Sequence, residues 1–351
     1  MTATVPSHHG SPRASQPLGA DFKLRDILKA IPKDLFEKNP RKAWTQVITN
    51  VSLVVLGYAA LAVAPWYLLP LLWVFQGTAL TGFFVIGHDC GHRSFSKRKW
   101  VNNWLGHLVF LPLVYPFHSW RLLHDKHHNH TNKMDVDNAW QPFRPEVYES
   151  FGVVRRVGYE LMRGKLWWMG SILHWALIHF DLDNYHDRDR AKANFSNWFV
   201  IIGGAIGLSL LAYFTSPWGV VKFWLMPWMV YHFWMSTFTI VHHTLPEIAF
   251  REPEDWNEAE AQLFGTVHCE YPAWVEFLCH HINVHIPHHL SVGIPSYNLR
   301  AAHHCLKEVW GDRLVEREFN WALMKEITDK CHLYHPERSY QTFSEYKGQG
   351  S

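Results

Sequence analysis

Charge is missing from two long stretches of this 351-residue chain, and paired cysteine is missing altogether. No Asp, Glu, Lys or Arg occurs from Trp44 to Gly87, and from Phe195 to Val241 the only one is Lys222. The five cysteines (Cys90, Cys269, Cys279, Cys305, Cys331) are odd in number and form no CxxC pair, which argues against a disulfide framework and for reduced thiols. The formal net charge of +2 removes the electrostatic case for nucleic acid as a partner. The first 21 residues, rich in Ser, Pro and Gly, hold no apolar run. They read as a disordered tail rather than a secretory signal, and His8 and His9 as an incidental pair within it. HExxH is absent, so a zincin protease is excluded. Glu-x-x-His is absent too, which excludes the soluble carboxylate-bridged di-metal bundle.

What is abundant is histidine, 26 residues, and tryptophan, 19. Tryptophan joins an apolar ring to a polar N–H and suits a membrane interface. About 20 apolar residues span a bilayer, so each charge-free stretch has the length of two helices. Pro65 and Trp66 mark the turn in the first, and Thr215–Gly219 (TSPWG) the turn in the second. The basic segment before Trp44 and the cations Arg93, Lys97, Arg98 and Lys99 then share the inner face. Leu105–Trp120 is apolar but short and interrupted by Pro112 and Pro116, an interfacial or half-inserted piece rather than a fifth span. The expected fold is an all-α integral membrane protein with four transmembrane helices in two hairpins and a cytoplasmic helical cap. Its divisions are 1–43, a tail and basic segment; 44–87, the first hairpin; 88–194, the first part of the cap; 195–243, the second hairpin; and 244–351, the rest of the cap.

The histidines fall where this topology leaves the membrane on one side. His88 and His92 lie four apart in GHDCGH, and His124, His127 and His128 lie at i, i+3 and i+4 in HDKHH. His242 and His243 end the last apolar run, and His285, His288 and His289 form HIPHH. A single HxxxH means little. Four spaced clusters on one face read as a metal centre, and their number exceeds the four ligands of one zinc ion. A histidine-only, two-metal site is the reading. Asp89 and Asp125 each follow a candidate ligand and are candidates to orient an imidazole, with a surface carboxylate as the equal alternative. Pro287 disfavours helix at Ile286, so a helix is expected to start at Pro287 with His285 arriving from the preceding turn. His232, inside a span, reads as a hydrogen-bonded polar residue of the bundle.

HDCGHRSFS, HDKHHNHTN, VHHTLPEI and NVHIPHHLSVGIPSYNLRAAH resemble the membrane fatty-acid desaturases, and among them the cyanobacterial acyl-lipid Δ12 group with its chloroplast omega-6 relatives. The likeness runs from about residue 22 to the C-terminus. It implies two iron ions (Fe2+), O2 as oxidant, ferredoxin as electron donor, and an oleoyl chain of a membrane glycerolipid as substrate, in a thylakoid or plasma membrane. It also implies nine ligands: His88, His92, His124, His127, His128, His243, His285, His288 and His289. His243 is chosen over His242 because the family motif places the ligand directly before the Thr, here Thr244. His281 stands where relatives carry Asp and falls outside the set, while His280 and His130 are neighbours or surface groups.

The expected reaction removes two hydrogens from an unactivated chain to give a cis double bond at Δ12. Acid–base groups cannot ionise such a bond, which accounts for the absence of a nucleophile–base arrangement. Trp100, Trp104, Trp140, Trp167 and Trp168 are candidates for a substrate tunnel or an interfacial belt. The 43 residues before the first span and the tail after the HIPHH cluster are too short for an added haem domain, so a separate soluble donor is expected. Arg93, Lys97, Arg98 and Lys99 are its candidate dock, or simply membrane anchors. A histidine-box hydroxylase or ketolase shares the first hydrogen abstraction and differs only in product. A haem electron carrier and a metal transporter are the other classes; the latter needs ionisable groups in the spans beyond Lys222 and His232.

Overall fold

The computed structural model describes residues 22–349, so the N-terminal tail with His8 and His9 lies outside the described residues. In chain order the helices are α1 (Leu24–Leu28), α2 (Pro40–Val63), α3 (Leu69–Gly91), α4 (Lys99–Phe110), α5 (Phe117–Asn129), α6 (Pro145–Glu149), α7 (Val153–Arg163), α8 (Gly170–Ile178), α9 (Asp187–Val220) and α10 (Met226–His243). After them come α11 (Glu258–Phe264), α12 (Ala273–Leu278), α13 (His285–Leu290), α14 (Ser296–Trp310), α15 (Trp321–Lys330) and α16 (Phe343–Gln349). The chain is mostly helical but not wholly so. β1 (His268–Glu270) pairs in parallel with β2 (Glu316–Glu318), and β3 (Leu333–His335) pairs antiparallel with β4 (Ser339–Gln341).

The apolar stretches break where their sequence dictates. Asn39 caps α2, its side chain accepting from the Arg41 and Lys42 amides, and Pro40 opens the helix at a position whose N–H needs no partner. α2 stops at Val63 because Ala64, which precedes Pro65, turns extended (ψ 139°). α9 is interrupted at Ser216, just before Pro217, where φ 77° and ψ 169° lie outside the helical region. A π-helical turn, Val221–Leu225, then leads into α10. Among the described residues, three stretches are long and apolar enough to cross a membrane: Pro40–Val63, Trp66–Gly91 and Asp187–His243. The third is 57 residues long and contains the break at Ser216. The chain on both sides of that break returns to one place. A Cβ on Gly203 would stand 2.6 Å from Leu111 Cδ1, while the indoles of Trp224 and Trp228 donate to the carbonyls of Pro112 (3.0 Å) and Leu113 (2.8 Å).

α3 is the central helix. Asn50 of α2 donates to Ala79 O (2.9 Å), and Trp234 of α10 donates to Thr78 Oγ1 (2.7 Å). Glycines let the backbones close up: a Cβ on Gly77 would lie 2.5 Å from Pro227 O, and one on Gly82 would lie 2.4 Å from Leu278 O. Outward faces stay apolar and uncovered, as at Val55, Leu56, Val63, Tyr213 and Phe214. Surface of that kind and extent belongs in a membrane. The segment ahead of α2 packs onto α14, with Ile27 and Ile31 buried and Asn298 donating to Leu35 O (2.9 Å).

Candidate metal centre

The four histidine clusters arrive on four helices. α3 carries His88 in its last turn and His92 just past its end, and α5 carries His124, His127 and His128. α10 ends in His242 and His243. The third box departs from expectation: α13 starts at His285, two residues before Pro287. Proline is tolerated there because first-turn amides have no intrahelical acceptor to lose.

The ring nitrogens gather into two groups. His88, His92, His124, His128 and His288 form one, and His127, His243 and His289 the other, each with ligand atoms within 4.8 Å of one another. His285 adjoins the second group, its Nε2 2.9 Å from Nε2 of His243. Both α5 and α13 serve both groups. On α5 the i, i+4 pair His124 and His128 faces one and His127 the other, and on α13 His288 and His289 divide likewise. His242 is in neither; its ring stacks on His285 with centroids 4.2 Å apart. His281 sits apart at 4.0 Å from Glu276, and His232 bonds Ser171 Oγ through Nδ1 (2.9 Å) within the bundle.

The donor set fits metal ions. His243 Nε2 faces Nε2 of both His127 (3.2 Å) and His285 (2.9 Å), and one imidazole N–H cannot satisfy both. Nε2 of His92 and of His289, and both ring nitrogens of His88, are buried without a hydrogen-bond partner. Orphaned lone pairs converging in a buried site are costly unless a cation takes them. Burial first, then mutual repulsion, holds the imidazoles of His124, His128, His288 and His289 well below the ordinary histidine range, in the neutral form that a metal requires.

The residues that orient the ring are not those expected. Asp89 Oδ1 is 3.7 Å from His88 Nδ1 and Asp125 Oδ1 is 3.9 Å from His92 Nδ1, both beyond hydrogen-bond reach. Asp89 instead accepts from the Ser296 amide at the start of α14 (3.0 Å), and Asp125 lies half exposed near Arg121. Asp137 takes the role: its Oδ1 accepts from His127 Nδ1 at 2.7 Å, fixing Nε2 toward the cluster. Gln262 Oε1 does the same for His289 Nδ1 (2.9 Å). Sequence reasoning missed both. Asp137 follows its histidine by ten positions, across a loop that curls back, and Gln262 comes from α11 with no local signal.

A cavity of about 610 Å³ opens beside the centre. His88, His124, His127, His243 and His285 line one end of it, and Phe84, Val85, Met235 and Phe238 form apolar walls. Among the five tryptophans considered for a tunnel, only Trp140 lines it, anchored to Thr239 Oγ1 (2.8 Å). Trp100 and Trp104 point outward, and Trp167 packs on Phe233.

Histidine clusters at the ends of apolar helices, beside an apolar cavity, are compatible with a metal centre in a membrane protein. The Fatty acid desaturase family profile matches residues 64–320. The chain is 58% identical over 349 residues to the sn-1 oleoyl-lipid 12-desaturase of Synechocystis sp., covering 99% of both proteins. It is 57% identical over 328 residues to the enzyme of that name from Anabaena variabilis, covering 93% of this chain and 94% of that one. It is 50% identical over 334 residues to the chloroplastic omega-6 fatty acid desaturase of Glycine max, covering 94% and 78%. The chain belongs to the fatty acid desaturase family and is an oxidoreductase.

Proposed function

We propose that this chain inserts a cis double bond at Δ12 of an oleoyl group esterified in a membrane glycerolipid, at the sn-1 position that the names of its cyanobacterial relatives specify. The observation that carries the reading is the pair of convergent histidine groups at one end of an apolar cavity. The balance is –CH2–CH2– + O2 + 2 e− + 2 H+ → –CH=CH– + 2 H2O. His88, His92, His124, His128 and His288 would hold one iron ion, and His127, His243, His285 and His289 the other. Two bound iron ions supply reductive dioxygen activation, strong enough to break an unactivated C–H bond. The rest is the work of the chain's own residues. Phe84, Val85, Met235 and Phe238 line the cavity beside the histidines, where they bind the acyl chain and exclude water. Asp137 and Gln262 hold His127 and His289 in one tautomer.

The proposal includes four spans in two hairpins, the second reversing at Ser216. In its support, Gly203 ahead of the break and Trp224 beyond it both meet the Leu111–Leu113 turn. The centre then faces the cytoplasm from a thylakoid or plasma membrane. Electrons come from a soluble acidic donor of the ferredoxin type. Arg93, Lys97, Arg98 and Lys99 are exposed beside the His92 end of α3 and offer it a dock.

The test is gas chromatography–mass spectrometry of lipids from a host that makes oleate but no linoleate, expressing the chain with ferredoxin. A cis-9,12 diene that disappears in the His285→Ala, His288→Ala double variant is expected. A hydroxylated product instead would overturn the reaction class.

A further inference from the structure

The cavity has a second end, and its geometry says how a lipid reaches it. α7 presents three faces. Arg155, Gly158, Tyr159 and Met162, spaced i, i+3, i+4 and i+7, line the cavity. Arg156, Glu160 and Arg163 turn into the cap, where Glu160 bonds Tyr148 and Arg163 bonds the Trp140 carbonyl. The third face, Val153, Val154, Val157 and Leu161, is apolar and exposed, from 40% at Leu161 to 88% at Val154.

α8 continues this rim at greater depth. Its Ser171 is hydrogen-bonded to Ser236 Oγ (2.9 Å) and to His232 Nδ1 (2.9 Å) of α10. Those residues lie seven and eleven positions before His243, or ~10 and ~16 Å along the helix axis from the metal centre. A nine-residue helix too short to span a membrane is therefore held alongside the middle of an apolar one. Its Leu173 and Leu177 both line the cavity and are exposed, Leu177 by 67%. The cavity thus opens sideways between α7 and α8, where Arg155 and Gly158 of one helix and Leu173 and Leu177 of the other both line it and are exposed. At the rim Arg155 stacks its guanidinium on Phe151 (3.9 Å). No carboxylate pairs with it among the described residues, so its five N–H donors are free.

We propose that the cleft between α7 and α8 is a lateral mouth for an intact bilayer glycerolipid. α7 lies in the head-group layer, α8 dips to acyl-chain depth, and Arg155 donates to the oxygen atoms of the lipid's head-group region. An acyl chain attached to a bulky polar head cannot thread a closed tunnel from water. It can slide in sideways while its head stays at the interface, which is what this rim permits. The inference rests on the lipid-desaturase reading but extends it to the route of entry.

The test uses the full-length protein in nanodiscs, on a Cys305→Ser background because the other four thiols are buried. An environment-sensitive fluorophore is placed by Val154→Cys, by Leu177→Cys, and by Lys325→Cys on the exposed face of α15 as a reference. The expected result is blue-shifted emission at 154 and 177, quenched by head-group nitroxide lipid at 154 and by mid-chain nitroxide lipid at 177. The reference should be quenched only by aqueous iodide. If 154 and 177 behave like 325, the mouth is refuted, whatever the enzyme's activity. In the same nanodiscs, Arg155→Gln is expected to raise the KM, in mole fraction of oleoyl lipid, several-fold at unchanged iron content. An unchanged KM removes Arg155 from head-group recognition.

Discussion

Asp137 and His127 form a pair sealed from solvent, carboxylate oxygen to Nδ1 at 2.7 Å, with the Asp137 side chain wholly buried. The other oxygen accepts from the Asn132 amide (2.7 Å), so the carboxylate is itself held in place. Asp137→Asn should weaken metal retention by ~10–100-fold, the usual effect of losing a partner of a metal-bound imidazole. Iron per chain under graded chelator, beside the thermal midpoint, separates this from a folding defect. Retention equal to wild type would leave the pair without a metal role.

The two adjacent histidines at the end of α10 should behave differently. His243 sits between His127 and His285, whereas His242 only stacks on His285. His243→Ala should abolish product and lose metal by more than the ~10–100-fold of an outer partner. His242→Ala should keep its iron. Stoichiometry by elemental analysis decides; loss in the second variant alone would reverse the choice.

The close approach of α3 and α10 predicts a stability cost. At Gly77 an added Cβ meets a backbone carbonyl, Pro227 O at 2.5 Å, which no rotamer change can relieve. Gly77→Val should cost ~1–3 kcal/mol, the range for overpacking. Gly207→Ala, where a Cβ meets nothing within 4 Å, should change the thermal midpoint in detergent far less.

Acid should destabilise the cap through His303. Burial, then repulsion from His268, lowers its pKa to about 4, against about 6.5 when unfolded. The fold keeps this imidazole neutral. As pH falls below about 6.5 the unfolded chain takes up a proton that the native state refuses, so stability drops until about pH 4. His303→Asn should flatten the fall of the thermal midpoint between pH 7 and pH 4.5. Parallel curves for the two proteins would contradict the assignment.

Much of this was written locally in the chain. Charge-free length, Pro65 and Pro217 mark where the apolar helices run and break, and i, i+4 spacing puts histidines on shared faces. The relationships hidden from the sequence are those made by loops and by distant elements. Asp89 and Asp125 are adjacent in sequence to histidines but aim elsewhere, while Asp137 arrives across a turn and Gln262 from another helix. Pro287 is a helix breaker only when preceding residues need its N–H, and at the third position of α13 they do not. α8, GSILHWALI, is too short to register as a span, so the depth at which it packs became visible only from its bonds to α10. The tryptophans differ because Trp100 and Trp104 lie on the exposed face of α4, whereas Trp140 and Trp167 sit in connecting turns whose path the sequence does not show.

The metal centre joins residues from His88 to His289, some 200 positions apart, and α13 supplies the last of them. Chains are synthesised at ~5–20 residues per second, so ~10–40 seconds separate the two ends of the site. During that time the first two boxes stand at the membrane surface without their partners. On the proposed reading, loading of the ions is accordingly a late event in the biogenesis of this protein. On that reading, a cell short of iron would accumulate chains whose apolar helices are in place and whose histidine clusters are not yet joined.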